Sequence, residues 1–229
     1  MKKFSGYEEV KDNNFKEFVK VGGHMCKILK AYVKEFTAKT TGNKFENLYI
    51  EYDFIEPDEQ AGFFKRKFSE DARADAKTAT WKGIYKITVP SDDGSEADAT
   101  AKKVLKTFIT CVEHSNPGYD WVKADWDENT LVGKIFGGSF GIEEFETMTG
   151  EVAYTTKLRF PKSIKNIQDE WDKIEKGEEV KKLNVKLVDK TFMDYEEWRA
   201  KRKAEREGTN VNDIVNNIDP VAQDDDLPF

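Results

Sequence analysis

Three short stretches of this chain interleave aromatic rings with cations. "LKAYVKEF" sets Lys30 and Lys34 on either side of Tyr32. "GFFKRKF" runs Phe63, Phe64, Lys65, Arg66, Lys67 and Phe68 together. "WKGIYK" interleaves Trp81 and Tyr85 with Lys82 and Lys86, and Lys134 stands two residues before Phe136. Rings of this kind stack on nucleobases at roughly 1–3 kcal/mol each, and cations neutralise the phosphates between them. Every base has a stacking face, so such a surface holds single-stranded nucleic acid of any sequence. The same alternation also describes a half-solvated strand, with rings in the core and lysines in water. On a regular strand Phe63 and Phe64 face opposite ways, which gives one of them to the core. The candidate DNA contacts are Lys30, Tyr32, Lys34, Phe64, Lys65, Arg66, Lys67, Trp81, Lys82, Tyr85, Lys86, Lys134 and Phe136.

The chain ends in a different kind of signal. Asp224, Asp225 and Asp226 precede Leu227, Pro228 and Phe229. An acidic run steers such an end toward a basic-rimmed pocket, where the Phe ring enters an apolar hole and the terminal carboxylate pairs with a cation. Pro228 limits the conformations to be frozen on binding. The formal net charge is −7, from 37 basic and 44 acidic residues. From Asn210 onward the chain has five acids and no Lys or Arg, so that segment carries −5 and the rest only −2. A near-neutral body with an acidic tail leaves room for a locally basic groove on the body.

Catalytic chemistry is hard to find. No phosphate-loop motif GxxxxGK[ST] is present, and "GSFGIEEFE" makes no nucleophile elbow. "GGSFG" lacks the strand-to-helix context of a phosphate cradle and reads as a bent strand where backbone passes closely. The two histidines, His24 and His114, sit in ordinary structural segments. Cys26 and Cys111 share no metal-ligand spacing, and a disulfide framework is not needed at this size. The acidic pairs form no two-metal pattern. The expectation is a protein without catalytic residues, metal or cofactor, and not an enzyme. A nuclease is the disfavoured exception. The N-terminus has no apolar run behind its lysines, and no stretch approaches 18 apolar residues, so the chain reads as cytosolic and without a membrane partner.

These residues need elements to hold them. Residues 1–20 read as a polar arm. From Gly22 a period of two argues for a strand of about ten residues, with Met25, Lys27, Leu29, Ala31 and Val33 on one face and Cys26, Ile28, Lys30, Tyr32 and Lys34 on the other. "TTGNK" is a turn, "NLYIEYDFIE" a second strand, "EPDEQAG" a loop, and "GFFKRKF" a third extended segment, which together predict a β-β-β meander. A long polar insertion at 69–100 follows. Ala101, Val104, Leu105, Phe108, Ile109 and Val112 recur at helical steps, which marks the principal helix, and "NPGYDW" stops it. "TLVGKIFGGSFGIEEFE" is a strand bent at Gly137 and Gly138, "MTGE" a turn, and "VAYTTKLRFPKSI" a strand closed by Pro161. "IKNIQDEWDKIEKGEE" reads as a short helix, 191–206 as a charged helix, and 207–229 as a disordered linker and tip.

The predicted fold is mainly β with one principal helix, an α+β chain. Strands, a helix and then strands is the order of a five-stranded oligonucleotide-binding (OB) barrel, here spanning 21–190.

Two resemblances support this reading. "DDDLPF" resembles the acidic C-terminal tip of bacterial single-stranded-DNA-binding proteins, with Leu227 in place of the usual isoleucine. That resemblance implies that Asp224 to Phe229 recruit replication, recombination or repair proteins. "GGHMCKILKAYVKEF…NLYIEYDF", Trp81–Gly83 and "KTFITCVEHSNPGYDW…LVGKIFGG" resemble phage and prophage proteins of Gram-positive hosts, described as single-stranded-DNA-binding or as of unknown function. Over about 20–190 this implies an OB domain acting in phage DNA replication or recombination, in the cytoplasm of a bacterial host. A homo-oligomer is compatible with the pattern. The alternative is a mediator or loader whose main work is protein–protein interaction.

Overall fold

The computed structural model describes residues 17–37, 44–147 and 151–187. The "TTGNK" and "MTGE" turns lie wholly or partly outside these residues, as do most of the N-terminal arm, the charged helix at 191–206, and the linker and tip at 207–229. The chain is α+β. Its elements are β1 (Gly22–Thr37), β2 (Lys44–Phe54), α1 (Phe63–Ala74), β3 (Ile84–Thr88), α2 (Glu96–Ser115), β4 (Ile135–Glu146), β5 (Val152–Lys162) and α3 (Ile164–Glu175). A short 3-10 turn, Glu128–Leu131, precedes β4. The strands make one open antiparallel sheet in the order β3-β2-β1-β4-β5. Two compact units divide the chain. Of the described residues, one unit holds those up to Ile142 together with Thr156–Asn184; the other holds those of Glu143–Thr155 together with Val185, Lys186 and Leu187. The outward face of β1, β2 and β3 belongs to the first.

β1 carries the sheet. It pairs with β2 from Cys26 to Thr37 and with β4 only from Gly22 to Lys27. A bulge at Leu29 interrupts the first ladder, where Ile28 faces Tyr52 and Lys30 faces Glu51. One extra residue exchanges the two faces of the strand beyond it. The face assignment read from a regular alternation is therefore corrected. Cys26 and Ile28 share the core side with Ala31 and Val33, while Lys30, Tyr32 and Lys34 turn outward. Leu48, Ile50, Tyr52 and Phe54 of β2, Ile87 of β3, and Phe136 and Phe140 of β4 complete the core side. Phe108, Ile109 and Val112 of α2 close it. Serine and asparagine fix the ends of α2. Ser95 accepts from the Asp98 N–H at 3.1 Å, and Asn116 bonds both Val112 and Ile135 across to the start of β4.

The third extended segment and its meander are also corrected, because "GFFKRKF" opens helix α1. Gly62 stands at its N-cap with φ 72° and has no side chain to cap with. The cap comes from β2 instead, where the Asp53 carboxylate accepts from the Phe64 and Lys65 N–H groups at 2.9 and 3.0 Å. Phe63 and Phe64 are both buried, packed against Phe54. The stretch 69–100 contains the end of α1, all of β3 and the start of α2.

α3 covers one end of the sheet's outer side. A Cβ on Gly137 would collide with Ile167 and with the Ser163 carbonyl oxygen, so a strand this close to α3 needs glycine there. Trp171 Nε1 donates to the Gly23 carbonyl at 3.0 Å and holds α3 over the start of β1.

Candidate nucleic-acid interface

Beyond Lys27, β1 has β2 as its only sheet partner among the described residues, and β3 pairs with Asn47–Glu51 on the far side of β2. Facing residues of an antiparallel pair point their side chains the same way. The outward rows are thus Lys30 opposite Glu51, Tyr32 opposite Tyr49, and Lys34 opposite Asn47. β3 extends them with Ile84, Lys86 and Thr88.

The middle row is aromatic. The Tyr32 and Tyr49 rings lie parallel, 1° apart in tilt, with centroids 5.3 Å apart. That geometry is an offset pair, side by side on the sheet. The Lys86 ammonium lies 5.2 Å from the Tyr49 ring centroid, a cation–π contact. Tyr32 is 37% exposed. Its hydroxyl donates to Glu51 Oε1 at 3.5 Å, and Lys30 Nζ meets the other Glu51 oxygen at 3.3 Å. Partial burial, and then the charge and hydrogen bond of Glu51, push the Tyr32 hydroxyl above its ordinary value, so it remains a neutral donor. Lys34 and Lys86 form no ion pair with a carboxylate among the described residues. Lys34 thus has no carboxylate partner there, and Lys86 has only the Tyr49 ring.

The structure gathers Lys30, Tyr32, Lys34 and Lys86 on one face and disperses the other candidates. Phe64 packs edge-on to Tyr52 at 5.4 Å. Phe136 is fully buried between Tyr52 and Phe108. Tyr85 turns to the core side and meets Phe108 at 5.9 Å. Trp81 is half-buried between Phe64 and Phe68, with its Nε1 donating to the Gly83 carbonyl at 3.1 Å. These rings have structural partners and leave little or no open face for a base. Lys65, Arg66 and Lys67 ride on α1. Arg66 meets Glu17 at 3.2 Å and Lys67 meets Glu70 at 2.8 Å, while Lys65 is exposed. Lys82 ties the β3 approach to Asp71 of α1 at 2.6 Å. Lys134 lies over the Tyr119 ring, 4.8 Å from its centroid. Exposed pairs of this kind contribute about 0–1 kcal/mol each, so their cations exchange partners at little cost.

Tyr49 escaped the sequence reading. It belongs to a hydrophobic strand with no adjacent lysine, and its partners come from β1 and β3. The available signal was the strand itself, since aligning "KAYVK" against "NLYIE" in antiparallel register brings the two tyrosines together.

His24 is structural. Its Nδ1 lies 2.9 Å from Asp58 Oδ2, Nε2 donates to the Lys20 carbonyl at 2.9 Å, and the ring stacks on Phe54 at 4.4 Å. Burial raises the Asp58 carboxyl, but the hydrogen bond and charge of His24, with the Gln60 and Met25 N–H groups, outweigh it and hold Asp58 below its ordinary value. Burial pushes the Cys26 thiol well above its usual range, which leaves it unreactive. A concavity of about 390 Å³ lies between α2 and the 121–126 turn, lined mainly by apolar groups such as Leu105, Ile109, Trp121 and Trp126. It contains none of the predicted contact residues. Among the described residues no cluster of three His, Cys, Asp or Glu could hold a metal ion, and no helix is long and apolar enough to cross a membrane.

No protein-family model matches the chain, and no curated protein matches it.

Proposed function

We propose that the outer face of β1, β2 and β3 binds single-stranded DNA without sequence preference. The observation that carries this reading is the Tyr32–Tyr49 pair on the outer side of the sheet, Tyr32 exposed and Tyr49 half-buried, bordered by Lys34 and Lys86, neither of which is ion-paired among the described residues. Rings give the bases a platform, and ammonium groups give the phosphates counter-charges. A duplex keeps its base faces stacked inside, so this surface favours unpaired strands.

The proposed architecture is an OB barrel. The strand order β3-β2-β1-β4-β5, with α2 between β3 and β4, supports it. OB folds bind oligonucleotides on the face of their second and third strands, and Tyr49 and Lys86 stand on β2 and β3. In this reading the tip, Asp224 to Phe229, recruits replication or recombination proteins, and the protein protects single strands during phage DNA metabolism in a bacterial host.

The test is fluorescence anisotropy with labelled poly-dT on the full chain and on a Tyr32→Ala/Tyr49→Ala variant. Tight binding that the variant loses supports the reading. Equal binding by both proteins moves the DNA off this face and overturns it.

A further inference from the structure

The outward face of the β1–β2 ribbon continues past the tyrosines. Two residues beyond Lys34 and Asn47, Phe36 faces Phe45 in the same antiparallel register. Alternation returns this pair to the side occupied by Tyr32 and Tyr49. Phe36 is 49% exposed and Phe45 is 42% exposed. Two phenylalanines held opposite one another and half in water contribute little to the core and leave their rings open to a ligand. The rows along the face therefore alternate: Lys30 with Glu51, Tyr32 with Tyr49, Lys34 with Asn47, and Phe36 with Phe45. Glu51, at the inner end, is the one carboxylate in these rows, and Lys30 is paired with it. Past the tyrosines, the described side chains of this face carry no negative charge to oppose a phosphate.

Resting on the reading proposed above, we infer that the ribbon is a two-step stacking ladder for one DNA strand. Tyr32 and Tyr49 take one base, Phe36 and Phe45 take another, and Lys34 meets the phosphate between them. Four residues of strand separate the steps, or about 14 Å at the usual rise of about 3.4 Å per residue. Stacked nucleotides of a single strand also advance by about 3.4 Å each, so the steps are about four stacked nucleotides apart and fewer when the strand is drawn out. A dinucleotide reaches one step, whereas an octamer reaches both. Alternation with cations at strand period is the reason to assign the phenylalanines to a nucleic acid. A protein-docking patch would need no Lys34 between its rings.

The experiment measures the affinity of labelled dT oligomers, from two to twelve nucleotides, for the full chain at low salt. The wild type should tighten steeply up to about six nucleotides and slowly thereafter. Phe36→Ala/Phe45→Ala should bind dT8 about ten-fold or more weakly, as expected for one lost stack, and dT2 within about two-fold of wild type. Phe36→Tyr/Phe45→Tyr, which keeps the rings, should restore dT8 binding. If the alanine variant holds dT8 as tightly as wild type while Tyr32→Ala/Tyr49→Ala releases it, the ladder is wrong and the DNA-binding reading stands. A loss equal at every length also refutes the ladder, because the phenylalanines would then act through the fold. If the wild type binds none of the oligomers, both fail together.

Discussion

Tyr32 and Tyr49 show how one row of side chains can join two kinds of interaction. In the proposed reading their rings offer apolar faces to a base, and Lys86 and Lys34, on the same outward face, meet its phosphates. Replacing either tyrosine by alanine should cost about 1–3 kcal/mol of poly-dT affinity, read by titration, with an unchanged circular dichroism spectrum. Lys86→Ala should reduce the slope of log affinity against log salt by about 0.7, the share of one phosphate contact to a single strand. Asp58 tests the fold separately. Its folded carboxyl sits below its ordinary value, so its contribution to stability is complete above the unfolded value of about 3.9 and fades as pH falls toward the folded one. Urea midpoints of the wild type should therefore drop below about pH 4. Asp58→Asn should be less stable at neutral pH, by about 3 kcal/mol, because it removes one partner of a buried pair, and its midpoint should vary less with acid.

At the level of elements, Asp53 links strand to helix by capping α1 from the end of β2. Asp53→Ala should cost about 1–2 kcal/mol, seen as a lower melting temperature, and should loosen Phe63 and Phe64 from the core. This distant cap explains why α1 was misread. Gly62 gives no local capping signal, and "FFKRKF" has too few residues for a helical period to outweigh two adjacent rings and three cations. The spacing of Phe64, Phe68 and Ala72 at four-residue steps is the helical signal, and it emerges only when the polar stretch after Phe68 is included. The longer elements were legible because their periods run further. Strands β2, β4 and β5 and helices α2 and α3 fall on the stretches read for them, while β1, at 16 residues, outruns the strand of about ten that its alternation suggested. β3 was hidden in the supposed insertion. It is five residues long, and the Gly83 before it is required where a Cβ would collide with the Tyr52 carbonyl oxygen and lie 2.8 Å from the Phe64 ring. Of the candidate contacts, Lys30, Tyr32 and Lys34 were legible because they share one strand. The dispersal of Phe64, Tyr85 and Phe136 into the core was not, since their basic neighbours serve α1 and the strand edges.

On the scale of the whole molecule, charge and aromatic content occupy different ends of the chain. The segment from Asn210 carries −5 of the formal −7, while the outward face of β1, β2 and β3 presents Lys30, Lys34 and Lys86. If the acidic tip is a tethered ligand for other proteins, deleting Asp224 to Phe229 should abolish capture of replication or recombination proteins. It should leave DNA affinity equal or higher, since a polyanion that competes with DNA has been removed. Loss of DNA binding on deletion would give the tip a structural role instead. The central claim is that the body holds single strands by stacking and phosphate neutralisation, and its most direct measurement is a titration of the full chain with poly-dT and with a duplex over a series of salt concentrations. Binding to poly-dT at low salt, weaker binding to duplex, and a log affinity that falls linearly with log salt are expected. Absence of binding at low salt, a preference for duplex, or an affinity independent of salt would contradict that claim.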